Sequence, residues 1–148
     1  PVMPIFVKPD ADFQIGKAQE VYKGTDVTII ACGHMVWKSI EAVKLLTEKG
    51  ISVELINMHT IKPLDISAIL NSVSKTGCIV TAEEHMANGG LGEAVAQVLS
   101  KNHPCPHEFV AVDDSFGESG KPMDLLDKYG LGSANIVEAV EKAIARKN

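Results

Sequence analysis

Four short runs rich in β-branched and aliphatic residues recur along the chain: DVTIIAC at 26–32, SVELINM at 52–58, GCIVTA at 77–82 and EFVAV at 108–112. Runs this apolar, with so little polar alternation, predict strands buried on both faces, and the amphipathic stretches that separate them predict helices covering a largely parallel sheet on both sides. Val36, Ile40, Val43 and Leu46 recur at helical spacing, and Gly50 supplies a left-handed stop. Asp65 is a natural N-cap for a helix over 66–73, leaving Pro63 to the preceding turn. Leu91, Val95, Val98 and Leu99 form the stripe of another helix. A short helix over 123–129 follows Pro122 and stops at Gly130, and a last one, capped by Ser133, turns Ile136, Val140 and Ile144 inward. AQEVYK at 18–23, short and alternating, predicts an edge strand.

The length of 148 residues, 45% of them hydrophobic, suits one such domain. Residues 1–12 hold three of the seven prolines and no helical period, so they predict an extended linker from a preceding domain, with the α/β domain over 13–148. A chain beginning at Pro1 without an initiator Met suggests a fragment. The net charge of −5, without a basic cluster, argues against nucleic acid as a partner. No apolar run approaches the roughly 20 residues of a membrane span and no secretory signal opens the chain, so the expectation is a cytoplasmic protein with no membrane partner. Cys32, Cys78 and Cys105 are odd in number and widely spaced, which suits core thiols better than a disulfide framework or a zinc site.

In an open α/β sheet ligands bind beyond the carboxyl ends of the strands, which directs attention to EEHMANGGLGEAV at 83–95. Gly89, Gly90 and Gly92 precede a helix whose free N–H groups could hold a phosphate. Neither GxGxxG nor GxxxxGK followed by Ser or Thr occurs at the required place, so the glycines read first as a tight strand-to-helix connection. Glu83 and Glu84 are neighbours and point to opposite sides of a strand end, so they are no acid and base pair; either could accept backbone N–H bonds from its own loop or from a partner. His34, His59 and His85 each follow a predicted strand and could converge with Glu83 or Glu84 on a metal, although no pair has a short zinc-type spacing. His103 and His107, in HPCPH, are expected to be solvated. In DDSFGESGKP, Ser115, Ser119 and Lys121 could form a phosphate nest, but ordinary turn chemistry leading to Pro122 accounts for the same residues. No GxSxG elbow occurs.

Five segments taken in order, FQIGKA at 13–18, GTDVTIIACG at 24–33, INMHTIKPLD at 56–65, IVTAEEH with NGGLGEAVAQVL within 79–99, and FGESGKPMDLLDKYGL at 116–131, resemble the C-terminal domain of transketolase. The resemblance implies a three-layer α/β/α fold with a five-stranded mixed sheet whose first strand is antiparallel. It also implies a parent transferase that moves a two-carbon ketol unit between sugar phosphates, as in the pentose phosphate pathway, using thiamine diphosphate and Mg²⁺. In that family a GDG motif with a downstream Asn in the first domain holds the cofactor and metal, and a middle domain supplies the activating glutamate. No GDG occurs here, so no catalytic, cofactor-binding or metal residue is carried over, and the isolated fragment is expected to be inactive. What the resemblance implies for this piece is a noncatalytic domain that packs against catalytic domains of its own chain or an N-terminal subunit and supports a homo-oligomer, a dimer. Glu83, Glu84, His85, Gly89, Gly90 and Gly92 are its possible subunit-contact loop. His34 and His59 stand at variable positions of the family pattern, which weakens the metal hypothesis. Alternatives are the C-terminal domain of a 2-oxo acid dehydrogenase beta subunit or of deoxyxylulose phosphate synthase, and an independent α/β module binding a phosphorylated metabolite.

Overall fold

The computed structural model describes Ile5 and residues 11–147; most of the expected linker over 1–12 lies outside the described residues. The order of elements is β1 Gln19–Tyr22, β2 Val27–Ala31, α1 Met35–Glu48, β3 Val53–Asn57, α2 Ile66–Thr76, β4 Ile79–Met86, α3 Leu91–Asn102, β5 His107–Val112, α4 Pro122–Lys128 and α5 Ser133–Lys147. The strands form one sheet in the order β1-β3-β2-β4-β5. β2, β3, β4 and β5 are parallel, and β1 is the antiparallel edge strand.

Side chains alternate between two cores. Val27, Ile29, Ala31, Leu55 and Val80 pack with α1 and α5 on one face, while Ile30, Ile56 and Ile79 pack with α2 and α3 on the other. Ile29, Ile30, Leu46, Leu55, Ile69 and Leu91 are wholly buried, each worth roughly 1.5–3 kcal/mol relative to exposure. Right-handed crossovers dictate this layering: β2 to β3 runs one way along the sheet and β3 to β4 the other, so α1 and α2 fall on opposite faces. The connections leaving β2 and β4, which are neighbours, therefore diverge, and a crevice opens between their carboxyl ends.

Asp65 caps α2, its Oδ1 accepting the Ala68 N–H (3.1 Å) and the Ser67 hydroxyl (2.7 Å), while its Oδ2 accepts the Ala18 N–H (3.0 Å) and ties the lead into β1 to the helix. Burial pushes this carboxyl up, but the bonds from Ser67, Ala18 and Ala68 and the Lys17 charge outweigh it and hold the pKa below the ordinary value.

Several boundaries differ from the sequence expectation: α2 runs on to Thr76 rather than ending at 73, and β4, β5 and α5 also depart from it. β4 continues past Ala82 to Met86, so Glu83, Glu84 and His85 belong to a strand and not to a loop. β5 begins at His107, which the sequence placed in a solvated loop. Ser133 is the first residue of α5 rather than its cap: the Gly132 carbonyl accepts the Ile136 N–H (3.3 Å), and the Asn135 side chain accepts the Gly132 N–H (3.2 Å).

Candidate functional site

The end of β4 is irregular. Its pairing with β5 is regular to Ala82 against Val110, then shifts so that Met86 lies opposite Val112. Such a bulge breaks the alternation of faces. Glu83 is 2% exposed, whereas Glu84 and His85 both reach solvent. Glu83 turns toward the amino end of α3, where its Oε2 accepts the Leu91 N–H at 2.7 Å and its Oε1 the Gly92 N–H at 2.8 Å. The carboxylate thus occupies the anion position that free N–H groups and the helix dipole create. Glu93, in the first turn, accepts the Gly89 N–H at 2.8 Å from the other side. A phosphate at Gly89, Gly90 and Gly92 would have to displace one carboxylate and meet a second, so the glycines serve a different purpose. A Cβ on Gly90 would lie 2.0 Å from Glu83 Oε2, and one on Gly92 would lie 2.4 Å from Phe109 Cδ1. Only a bare backbone lets the two approaches coexist. Of the six expected contact residues, Glu83, Gly90 and Gly92 are internal scaffold, and Glu84, His85 and Gly89 face outward.

The three histidines stay apart in role. His34 sits at the N-cap position just before α1 without making a side-chain cap, and His85 Nδ1 lies 2.9 Å from the carbonyl of Met86. His59 pairs with the Thr60 hydroxyl (2.9 Å) and lies against Phe13, with ring centroids 4.4 Å apart. Among the described residues no group of three or more His, Cys, Asp or Glu gathers as a metal site. His34, His59 and His85 do not gather with Glu83 or Glu84 into a common donor set there.

Cys32 ends the apolar course of β2 beside the acidic pair. Burial, then the charges of Glu83 and Glu84, push its thiol up to about 11. Burial, then Cys78, pushes Cys105 to about 11 as well, and Cys78 is raised chiefly by burial. Thiols held protonated are poor nucleophiles, in keeping with a packing role.

His107 is half-buried rather than free in a loop. Its Nε2 lies 2.9 Å from the Thr81 hydroxyl, its ring stacks on Phe109 at 4.1 Å, and burial lowers its pKa to about 4 against the weaker upward pull of Glu108. Glu108 beside it takes ion pairs from Lys142 (2.8 Å) and Arg146. Burial raises that carboxyl, but the two cations outweigh it and keep the pKa below its ordinary value.

Ser115, Ser119 and Lys121 are exposed, and the group their loop gathers is an acid: Tyr129 Oη and Lys128 Nζ both donate to Glu118. An anion nest is not what this loop builds. The same segment closes a cleft that no sequence motif announced, lined by Glu84, Val112, Pro122, Leu125, Tyr129 and Leu131. Its only signal in the sequence is Phe116, an aromatic residue among turn formers.

Comparison with known proteins is consistent with this architecture. Residues 16–136 match the family described as transketolase, C-terminal domain. The chain is 44% identical over 137 residues to the 6-deoxy-6-sulfo-D-fructose transketolase subunit SqwH of Clostridium sp. (strain MSTE9), covering 93% of this chain and 42% of that protein. It is 38% identical over 132 residues to one of the subunits of apulose-4-phosphate transketolase from Phocaeicola vulgatus, covering 89% of this chain and 42% of that protein. A solved structure described as split gene transketolase, inactive beta4 tetramer, superposes with a TM-score of 0.91 at 43% identity, covering 98% of this chain and 47% of that one. The chain spans less than half the length of these relatives.

Proposed function

Since the chain belongs to the transketolase C-terminal domain family, we propose that it is the noncatalytic C-terminal portion of a thiamine diphosphate-dependent enzyme transferring a two-carbon ketol unit between sugar-type substrates. It packs against the portion that holds thiamine diphosphate and Mg²⁺, on the same chain or on an N-terminal subunit, and it supports a homo-oligomer. The observation that carries this reading is the state of the carboxyl edge. There Glu83, the most deeply buried acid among the described residues, has both oxygens committed to backbone N–H groups of α3. A general base must reach the group it deprotonates, and Glu83 is 2% exposed and held against the first turn of its own helix. Glu84, His85 and Gly89 remain available at the surface for contact.

An independent phosphate-binding module is less well supported, because carboxylates fill the helix end that such a ligand would use. The test is a ketol-transfer assay with a panel of ketose donors and aldehyde acceptors, run with thiamine diphosphate and Mg²⁺. Turnover should require this chain together with the catalytic portion. Turnover by these 148 residues alone would sink the noncatalytic assignment.

A further inference from the structure

Above Glu84 the sheet opens into a cleft of about 360 Å³ between the carboxyl ends of β4 and β5 and the helix α4. Val112, Pro122, Leu125, Tyr129 and Leu131 make it largely apolar, and Glu84 stands on its wall as a carboxylate. The chain next to its lining is mostly acidic: Asp113 and Asp114 follow Val112, and Asp124 and Asp127 flank Leu125 and Leu126, against Lys121, while Glu118 and Lys128 pair with each other. The lip of the cleft is built and not merely slack chain, since the Tyr129 hydroxyl lies within hydrogen-bond distance of the Phe116 carbonyl (3.1 Å) and of Glu118 (2.9 Å), which share its one proton. On that anchored backbone the Phe116 side chain is 100% exposed, and Met123 in the first turn of α4 is 46% exposed. An anchored aromatic standing in water beside an apolar cleft is the arrangement that protein interfaces bury at their centres.

We propose that this cleft is the docking site for a segment of the enzyme's catalytic portion that presents an apolar side chain flanked by Arg or Lys; the assignment rests on the function proposed above. Complementarity selects the occupant. A sugar phosphate would bring negative charge to an acidic rim and find few donors in an apolar lining. A second copy of this chain docking through the same face would set two acidic rims against each other. A cationic, apolar segment satisfies both features: its side chain fills the cleft, Phe116 and Met123 cover its flank, and Glu84 meets its charge.

The experiment is sedimentation velocity of the enzyme assembled with its catalytic portion, over a dilution series, for the wild type and four variants. Glu84→Arg, Phe116→Ala and Leu125→Asp should each weaken assembly by about tenfold or more, as expected for interface anchors and charge reversals. Lys101→Glu, exposed in the last turn of α3, should assemble as the wild type does. Leu125→Asp could fail to fold, and Glu84→Arg and Phe116→Ala, both at exposed positions, then carry the test, with unchanged thermal unfolding as their control. Wild-type assembly in all the cleft variants overturns the docking site and leaves the proposed function standing, whereas a wild-type chain that never joins the catalytic portion overturns that function and the site with it. A small apolar molecule retained in the cleft by native mass spectrometry, or self-association that the same variants abolish, also overturns the site.

Discussion

Replacing Glu83 by alanine tests the central structural claim. Two charge-assisted bonds, at 2.7 and 2.8 Å, disappear from a site that is 2% exposed, and the Leu91 and Gly92 N–H groups are left without a partner. Each such bond contributes about 1.5–3 kcal/mol, and the loss of an anion from the dipole end adds about 0.3–1 kcal/mol. The two bonds share one carboxylate and so do not add fully, and alanine also removes the cost of burying a charge; the net expectation is about 3 kcal/mol. Against a total stability of roughly 5–15 kcal/mol this is a large fraction. With a urea slope of about 1–3 kcal/mol/M it moves the unfolding midpoint down by about 1–3 M. Glu83→Gln keeps one accepting oxygen but turns an amide donor toward the other N–H, so it should fall between wild type and Glu83→Ala. Urea unfolding followed by circular dichroism gives the midpoints, and ketol transfer per assembled site gives the chemistry. A midpoint for Glu83→Ala within about 0.3 M of wild type refutes the scaffold role, being too small for even one lost charge-assisted bond. So does an alanine variant of native stability whose assembled enzyme has lost turnover.

The two glycine contacts should differ. Gly90→Ala drives a Cβ onto the Glu83 carboxylate and should cost about 2–4 kcal/mol, close to the loss of Glu83 itself; Gly92→Ala meets the half-exposed Phe109 ring, which can swing away, and should cost about 1–2 kcal/mol. Equal urea midpoints for the two variants would contradict that ranking. On pH, His107 has a folded pKa of about 4 against an unfolded value of 6.5, so between these the unfolded chain binds a proton that the folded chain refuses. Stability therefore falls as pH drops from 6.5 toward 4, by at most about 3 kcal/mol, and His107→Gln should flatten this slope in urea midpoints taken from pH 7 to 4.5. The depressed carboxyls of Asp65 and Glu108 act at lower pH: their contributions are present above their ordinary values of 3.8 and 4.5 and are lost as pH falls below them, so they enter only at the acid end of that range.

The sheet and its helices were legible because each central strand is a local apolar run and each helix a local stripe; Asp65 and the edge position of β1 followed from the same short-range patterns. What escaped depends on distant partners. Glu83, Glu84 and His85 are polar enough to read as loop, yet the pairing of Met86 with Val112 keeps them extended. HPCPH has turn composition, yet Ile79 pairs with His107 and draws it into β5, where Thr81 and Phe109 enclose it. Ser133 and Gly132 are both acceptable caps by composition, and Asn135 tips the choice by holding the Gly132 N–H. The cleft beside Glu84 joins β4, β5 and α4, which no single stretch of sequence contains.

The adjacent acids show how one fold separates scaffold from surface. On a regular strand Glu83 and Glu84 would simply face opposite sides; the bulge additionally lets His85 remain outside with Glu84 while Glu83 stays in. Glu83 is 2% exposed, with an N–H of the first turn of α3 on each carboxylate oxygen and the bare backbone of Gly90 at its side. A substrate would reach it only by displacing those neighbours, so chemistry at Glu83 would compete with folding. Glu84 carries no such obligation within its own strand, and it stands where a neighbouring cation can reach it. The inward acid is tied to the integrity of this domain, and the outward one is available to whatever docks on it.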